Sequence, residues 1–191
     1  MVSYYEHNQS ARGKQLLERM QAGEVCALVS DAGSPAISDP GEDLVRLCAE
    51  AGIAVSAIPG PCAVITALSI SGLPTGRFTF EGFLSTAKKS RKQHLDALRT
   101  ETRTMVFYEA PHKLLATLED MAAVFGPDRR ISLCRELTKL HEEVLRTTLA
   151  APPPITGRRL PRENLSWFWP APSRSALPLL CGGSRRRPGR L

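Results

Sequence analysis

Residues 25–41 read VCALVSDAGSPAISDPG, and this stretch defines the fold class expected for the chain. The apolar run Val25–Val29 has the length of a strand that is buried in a parallel sheet. Small and turn-forming residues follow at Ser30–Pro35. Pro40 is a favourable first residue for a helix, with Asp39 as its N-cap. Strand, small-residue loop and helix in this order are typical of ligand sites in open α/β sheets, although a tight turn without a ligand has the same pattern.

A second passage of the same kind follows along the chain. Ile53–Ile58 is an apolar run that predicts another buried strand, and residues 59–68 read PGPCAVITAL. Small residues directly after a strand allow a ligand, or simply another backbone segment, to approach closely. The sequence therefore predicts two strand-to-helix turns at one edge of a sheet, with either a ligand or plain packing as the reason for them.

Strands and helices alternate through most of the chain, which predicts an α/β fold. A short strand is expected at Val2–Tyr5, followed by a helix from Ser10 to Ala22. Further elements follow residue 76, where we place a domain boundary. They are strands at Phe78–Phe83, Thr104–Tyr108, Ile131–Cys134 and Val144–Leu149, and a helix from Pro111 to Gly126. The predicted domains span residues 1–75 and 76–150, with a disordered basic tail at 151–191.

The positive charge of the chain is concentrated in that tail. The net charge is +6 over 191 residues. Residues 151–191 hold eight arginines and one acid, so the preceding 150 residues carry a net charge of −1. The basic character of the sequence therefore describes the tail and not the folded part. Within the folded part, the segment Ser85–Thr100 is locally basic. It is expected to be either a solvated helix face or a surface that contacts RNA phosphates.

Cysteine and histidine usage argues against two classes of site. The five cysteines are scattered without a C-x-x-C pair, which favours a reducing cytoplasm over a disulfide framework. The four histidines have no metal-ligand spacing, so no metal site is predicted. No signal peptide is recognisable, and no apolar run approaches the roughly 20 residues of a membrane span. We therefore expect a cytoplasmic protein without a membrane contact.

Seven short motifs occur in order along residues 2–149. They are SDAGSP at 30–35, DPG at 39–41, PGP at 59–61, SGLP at 71–74, FEGFL at 80–84, FYEAPH at 107–112 and RELTK at 135–139. This series closely resembles the bacterial 16S rRNA 2′-O-ribose methyltransferase I family, within the tetrapyrrole methylase superfamily. The resemblance implies a two-domain tetrapyrrole-methylase-like α/β fold, here truncated at both ends. It also implies a homodimer and S-adenosylmethionine as the cofactor.

The same resemblance implies methyl transfer to the ribose 2′-hydroxyl of a cytidine in small-subunit rRNA, with the rRNA or the 30S subunit as the partner. By motif position, two groups of residues would line the cofactor cleft. The first domain would contribute Ser30, Asp31, Ala32, Gly33, Cys62 and Ala63, and the second Phe107, Tyr108, Leu137 and Thr138. A ribose hydroxyl is a weak nucleophile that profits from a nearby base. Glu109, Glu136 and Lys139 are the candidates, although each could instead form an inter-domain ion pair.

The chain departs from the family pattern at both ends. The family has a first strand and a cofactor loop before the position of Val2. At the other end, residues 162–170 can be back-translated and read in the frame that starts at the third base of each codon. With permitted codon choices this shifted frame encodes GEPVLVLA, an apolar strand where the family has one. We therefore interpret the tail as a frameshift product. Three functions stay open: an active methyltransferase, an inactive fragment of that family, and a basic-tailed RNA-binding module without chemistry.

Overall fold

The structure is a computed structural model that describes residues 2–5, 7–151, 165–169 and 179–180, the last two stretches by their backbone. The chain divides into two compact units, Met1–Pro61 and Cys62–Leu191. This division lies before the helix that follows the PGP motif. The boundary predicted near residue 76 lies after that helix, so the two differ by one helix.

The first unit is built from two packed helices, α1 (Gln9–Gln21) and α2 (Glu42–Glu50). Gly13 of α1 is buried, and a Cβ atom at this position would lie 3.0 Å from Leu47 of α2. A side chain here would therefore push against the neighbouring helix. The Tyr4 hydroxyl donates a hydrogen bond to Asp43, which ties the residues before α1 to α2. Burial raises the pKa of Tyr4, and the bond to Asp43 raises it further.

The three strands predicted in the first unit are absent from the structure, so these predictions were wrong. Val2–Tyr5, Val25–Val29 and Ile53–Ile58 form no strand. The apolar side chains of the second and third segments are largely exposed: Val25 is 100% exposed and Ile58 is 86% exposed. A strand requires a neighbour for its backbone hydrogen bonds, and none pairs with these segments in the described part of the unit. Helix α2 also begins at Glu42, two residues after the predicted Pro40.

The second unit contains a six-stranded sheet. In chain order its elements are α3 (Ala63–Ile70), β1 (Phe78–Phe83), α4 (Lys88–Ala97), β2 (Thr104–Glu109), α5 (Leu114–Phe125), β3 (Arg130–Arg135), β4 (Glu143–Thr148), β5 (Leu165–Trp169) and β6 (Leu179–Leu180). The strand order is β1-β2-β5-β6-β3-β4. The β1–β2 pair is parallel and the β3–β4 pair is antiparallel. The strands predicted between residues 78 and 149 are therefore confirmed.

Apolar side chains cover both faces of this sheet because successive residues of a strand point to opposite faces. Met105 and Phe107 of β2 pack with α4 and α5 in one cluster. Val106 and Tyr108 of β2 belong to a second cluster with α3. Every residue of β2 is buried, as expected for a strand covered on both sides.

Strands β5 and β6 lie within the segment that was predicted to be a disordered tail. The β5 backbone pairs antiparallel with β2 and β3, and the β6 backbone pairs parallel with the same two strands. The rest of the predicted tail lies outside the described residues. A strand was expected here only in the alternate reading frame, whereas the structure forms β5 from the chain as it stands.

Candidate functional site

In the first unit, the SDAGSP and PGP loops are in direct contact. The backbone N–H of Ser34 donates to the carbonyl of Pro61 at 3.0 Å. Gly33 has a φ of 78°, and a Cβ atom there would lie 2.8 Å from the Pro61 oxygen. The Ser30 hydroxyl closes the first loop internally by donating to the Gly33 carbonyl at 2.9 Å. Glycine at position 33 is therefore required both by the left-handed backbone and by the close approach of the second loop.

This pair of loops exposes short polar side chains and backbone groups. Asp31, Ala32 and Gly33 are exposed, and Ser30 is half-buried. Short side chains leave the backbone amides and carbonyls accessible, which is suited to a small polar ligand that is recognised by main-chain groups. Sequence reasoning did not identify Ala36, which has a φ of 65° just after the loop. A non-glycine residue in this conformation is strained, and such strain concentrates at functional sites.

The second unit brings four of the predicted cofactor residues into one apolar cluster. Tyr108 and Leu137 are buried members of this cluster, and Cys62 and Ala63 at the start of α3 pack against it. The cluster joins the carboxyl end of β2, the loop after β3 and the first turn of α3. These three segments carry residues that the resemblance assigns to the cofactor site, and all three belong to the second unit.

Phe107 does not join this group. Its side chain is fully buried in the other cluster, against α4 and α5, because residues 107 and 108 point to opposite faces of the sheet. Phe107 therefore forms part of the core, whereas Tyr108 packs on the α3 side. The Tyr108 ring also contacts Phe80 and Phe83 of the FEGFL motif, with centroid distances of 5.0 Å and 5.3 Å.

The RELTK segment after β3 is a strained loop. Glu136 has a φ of 51° and Thr138 a φ of 64°, and neither residue is glycine. Left-handed backbone at such residues costs about 1–3 kcal/mol each and persists only where the surroundings enforce it. The Thr138 N–H donates to the Glu142 carboxylate at 2.7 Å, and the Lys139 N–H donates to the Glu136 carbonyl at 2.9 Å. Glu142 was not predicted, and no sequence motif singles it out.

The three candidate bases are held in different ways. Glu109 is buried and its two carboxylate oxygens are both engaged: the Ala110 N–H donates to one at 2.7 Å and the Thr117 hydroxyl to the other at 2.6 Å. Its carboxylate therefore anchors the start of α5 to the end of β2. Glu136 and Lys139 form an ion pair at 3.2 Å within the loop. Both residues of this pair belong to the RELTK segment, so it is not the inter-domain ion pair that was considered as the alternative.

Cys134 precedes this loop on β3 and is fully buried. Burial raises the pKa of its thiol to about 12. The thiol therefore stays protonated at neutral pH, so Cys134 acts as a small apolar core residue.

Two features that would point to other kinds of site are missing from the described residues. No group of three His, Cys, Asp or Glu side chains is arranged to hold a metal ion there. In the same part of the chain, no helix combines the length and apolar character that crossing a membrane requires.

Comparison with protein families gives a match over most of the chain. Residues 2–153 match the family of tetrapyrrole (corrin/porphyrin) methylases. A ribosomal RNA small subunit methyltransferase I from Synechocystis sp. is 54% identical over 148 residues, which are 78% of this chain and 53% of that protein. The protein of the same name from Escherichia coli O157:H7 is 51% identical over 144 residues, 75% of this chain and 50% of that protein. The chain thus spans about half the length of these curated relatives.

Solved structures share the fold. The crystal structure of the methyltransferase CobJ aligns with a TM-score of 0.59 and 20% identity, covering 93% of this chain and 73% of that one. A uroporphyrin-III C-methyl transferase from Thermus thermophilus, complexed with S-adenosyl homocysteine, aligns with a TM-score of 0.56 and 15% identity over 86% of this chain and 74% of that one. These similarities confirm the predicted tetrapyrrole-methylase-like α/β fold.

Proposed function

The chain belongs to the tetrapyrrole methylase family, and from that membership we propose that it is built for S-adenosylmethionine-dependent methyl transfer to a cytidine ribose 2′-hydroxyl of small-subunit rRNA. The observation that carries the choice of substrate is the identity of about half of the aligned residues to those of proteins named ribosomal RNA small subunit methyltransferase I. The solved structures support only the fold, since their identities are 15–20%. Such a reaction would take place in the cytoplasm on the rRNA or on the 30S subunit.

The residues present fit the proposed cofactor. The left-handed Gly33 leaves room for the SDAGSP loop to close on Pro61, and the exposed residues 31–33 present backbone groups to a ligand. In the second unit, Cys62 and Ala63 are half-buried and pack against the buried side chains of Tyr108 and Leu137. S-adenosylmethionine, when bound, supplies an electrophilic sulfonium methyl group. The protein's task is then to bind and orient the reacting groups and to exclude water.

The proton of the ribose hydroxyl needs an acceptor, and the contacts of the three candidates distinguish them. Glu109 already accepts two hydrogen bonds inside the unit, which supports a positioning role for its carboxylate. The Glu136–Lys139 pair lies in a strained loop with side chains 10% and 26% exposed. We therefore assign proton transfer to this pair, with Glu136 as the acceptor and Lys139 holding its carboxylate in place.

An inactive relative is the second candidate, and one observation favours it. The apolar segments Val25–Val29 and Ile53–Ile58 lie directly before the two loops, and no strand in the described part of the chain pairs with them. Loops on unpaired segments are held less firmly than loops on a sheet, so the site could be too mobile to bind a ligand. A third candidate, a basic-tailed RNA-binding module, would bind RNA but not S-adenosylmethionine.

Calorimetric titration of the full chain with S-adenosylmethionine decides between these candidates. Two glycine substitutions provide a matched pair. Gly33→Ala meets the Pro61 oxygen, whereas Gly52→Ala has a similar φ of 70° but nothing within 4 Å. We expect micromolar binding by the wild type, weakening by about tenfold or more in Gly33→Ala, and less than about twofold change in Gly52→Ala. An absence of heat with the wild type would favour the inactive relative, and equal losses in both variants would contradict the role of the loop contact.

The choice of the ribose hydroxyl is tested with two RNA oligonucleotides that differ at one cytidine. One carries the 2′-hydroxyl and the other is 2′-deoxy at that position. Transfer of a labelled methyl group to the first and not to the second is expected. Equal labelling of both would mean that the 2′-hydroxyl of this cytidine is not the methyl acceptor. Sedimentation of the same protein tests the proposed homodimer, for which a monomer at micromolar concentration would be the contrary result.

A further inference from the structure

Helix α4 presents three lysines, Lys88, Lys89 and Lys92, which we call the lysine face. All three are exposed. Lys92 is four residues after Lys88 and three after Lys89, so the three side chains are neighbours on the surface of the first turns of the helix. Within the described residues none of the three forms an ion pair with a carboxylate.

The acidic side chains that contact this helix are bonded to residues other than the three lysines. Asp96 pairs with Arg99 at 2.7 Å, and Glu81 of β1 pairs with His94 at 3.1 Å. Asp120 of α5 pairs with Arg91 at 2.6 Å. The Glu81 and Asp120 contacts link the helix to β1 and α5, whereas the Asp96 pair is local to the end of α4. None of these three acidic side chains therefore neutralises the positive charge of the lysine face.

The position of these lysines opposes the stability of the helix. The first turn of α4 contains no acidic residue and begins with Lys88 and Lys89. A helix N-terminus carries partial positive charge and favours acids, so lysines there are unfavourable. Lys88 and Lys92 also repel each other at a spacing of four residues. Residues that destabilise a local element, as these lysines do at the start of α4, are expected mainly where a function requires them.

We propose that the lysine face binds the phosphate backbone of the RNA substrate, an inference that rests on the proposed function. Lysine ammonium groups bind phosphates as point charges. The helix carries no Phe, Tyr or Trp that could stack on a base, and the ring of its His94 is engaged with Glu81 and Phe107. Contacts of this kind set the affinity for RNA and its orientation but do not read its sequence. The lysine face thus holds the strand, while the choice of nucleotide is made elsewhere in the protein.

Arg91 has a different role from the three lysines beside it. Its guanidinium bonds Asp120, and it also donates to the carbonyls of Ser85 and Thr86 just before the helix, at 3.2 Å and 3.3 Å. The Leu95 side chain on the same helix is fully buried. These two residues hold α4 in place, so the lysines can be replaced without removing its anchors.

A charge-matched pair of triple variants tests the proposal in the full chain. Lys88→Gln/Lys89→Gln/Lys92→Gln removes the lysine face. Lys14→Gln/Arg77→Gln/Arg130→Gln removes the same charge from three exposed positions elsewhere. The dissociation constant for a single-stranded RNA oligonucleotide is measured by fluorescence anisotropy over a range of KCl concentrations. Both variants keep the basic residues after position 150, so any contribution of those residues is common to them.

Loss of three phosphate contacts lowers the slope of log K against log salt by about 2 for single-stranded RNA. We expect that change in the lysine-face variant and a change below about 0.5 in the control. Equal changes in both variants, or no change in either, would overturn the proposal. So would binding to vesicles of phosphatidylcholine and phosphatidylserine that depends on the lysine face while RNA binding does not.

Titration of both variants with S-adenosylmethionine separates this inference from the proposed function. The lysine face lies on α4, outside the cluster assigned to the cofactor, so cofactor affinity should stay within about twofold of the wild type. If the wild type binds no cofactor, the methyltransferase proposal fails, but the RNA slopes still decide the role of the lysine face. Thermal unfolding checks the fold, and the lysine-face variant should be no less stable than the wild type because like charges have been removed from the helix start.

Discussion

Similar apolar runs adopt different structures in the two units of the protein: one is a buried strand and the other is not a strand. In the second unit, Thr104–Glu109 is a strand whose residues are all buried, and Val106 is 0% exposed. In the first unit, Val25–Val29 is no strand, and Val25 is 100% exposed. Both runs are short and mostly apolar, and each is followed by a loop or turn. The difference teaches that an apolar run forms a strand only where neighbouring strands complete its hydrogen bonds and helices cover its faces.

Amide hydrogen exchange should show the largest difference between the units. The amides of β2 and β3 are expected to exchange about 1,000-fold more slowly than those of residues 25–29 and 53–58, because they open only with the whole sheet. Mass spectrometry of peptic fragments measures this, with each rate divided by that of an unstructured peptide. Comparable protection of residues 25–29 would show that these residues form a strand in solution and would remove the contrast.

The same substitution, valine to alanine, can be made in both runs and compared. Val106→Ala removes buried methyl groups and leaves a cavity, so it should lower the free energy of unfolding by about 2 kcal/mol. Val25→Ala removes the same atoms from solvent and should change that free energy by less than about 0.5 kcal/mol. Urea denaturation followed by circular dichroism measures both. A loss above about 1 kcal/mol in Val25→Ala would mean that this segment is buried.

The buried polar contact of the second unit should have a slightly smaller effect. Thr117→Val removes the hydroxyl that donates to Glu109 and leaves one carboxylate oxygen unsatisfied. We expect a loss of about 1–2 kcal/mol. Thr102→Val on the exposed surface is the control, since its side chain makes no such bond to a buried acid. Equal effects of the two substitutions in urea denaturation would argue against an anchoring role for Glu109.

The smallest expected effect concerns the pH dependence of the two units. A hydrogen bond donated by Arg103 lowers the pKa of Glu101 from its ordinary value of 4.5 to about 2. Glu101 therefore stabilises the second unit above pH 4.5, and this contribution disappears as the pH falls towards 2. Glu101→Gln should lower the melting temperature at pH 7, and the difference from the wild type should shrink in acid.

The first unit provides the matching control for this titration. A hydrogen bond from Arg19 lowers the pKa of Glu24, but both side chains are about half exposed, so solvent screens the pair. Glu24→Gln should therefore change the melting temperature less than Glu101→Gln at every pH. A larger effect of Glu24→Gln would contradict the view that burial decides the strength of these pairs.

Much of the second unit follows from local sequence patterns. The alternation and length of the apolar runs predict β1 to β4, and α5 ends at Phe125, directly before the predicted Gly126. The same reasoning fails for Val25–Val29, because pattern alone does not report whether a neighbour is present. It also could not assign Phe107 and Tyr108 to different clusters without the direction of the strand faces. The strain at Glu136 and Thr138 has no signature in residue type, since glutamate and threonine usually avoid left-handed backbone.

The sequence by itself determined the α/β class, the family motifs and the group of residues around the candidate site, because these depend on residue type and order along the chain. Only the tertiary structure decided which of those residues share a surface. In the folded protein both carboxylate oxygens of Glu109 accept hydrogen bonds within the second unit, and Glu136 forms an ion pair with Lys139. It also left Lys88, Lys89 and Lys92 exposed on α4. The physical reason is that hydrogen-bond partners and burial are set by segments distant in the chain, which no local pattern specifies.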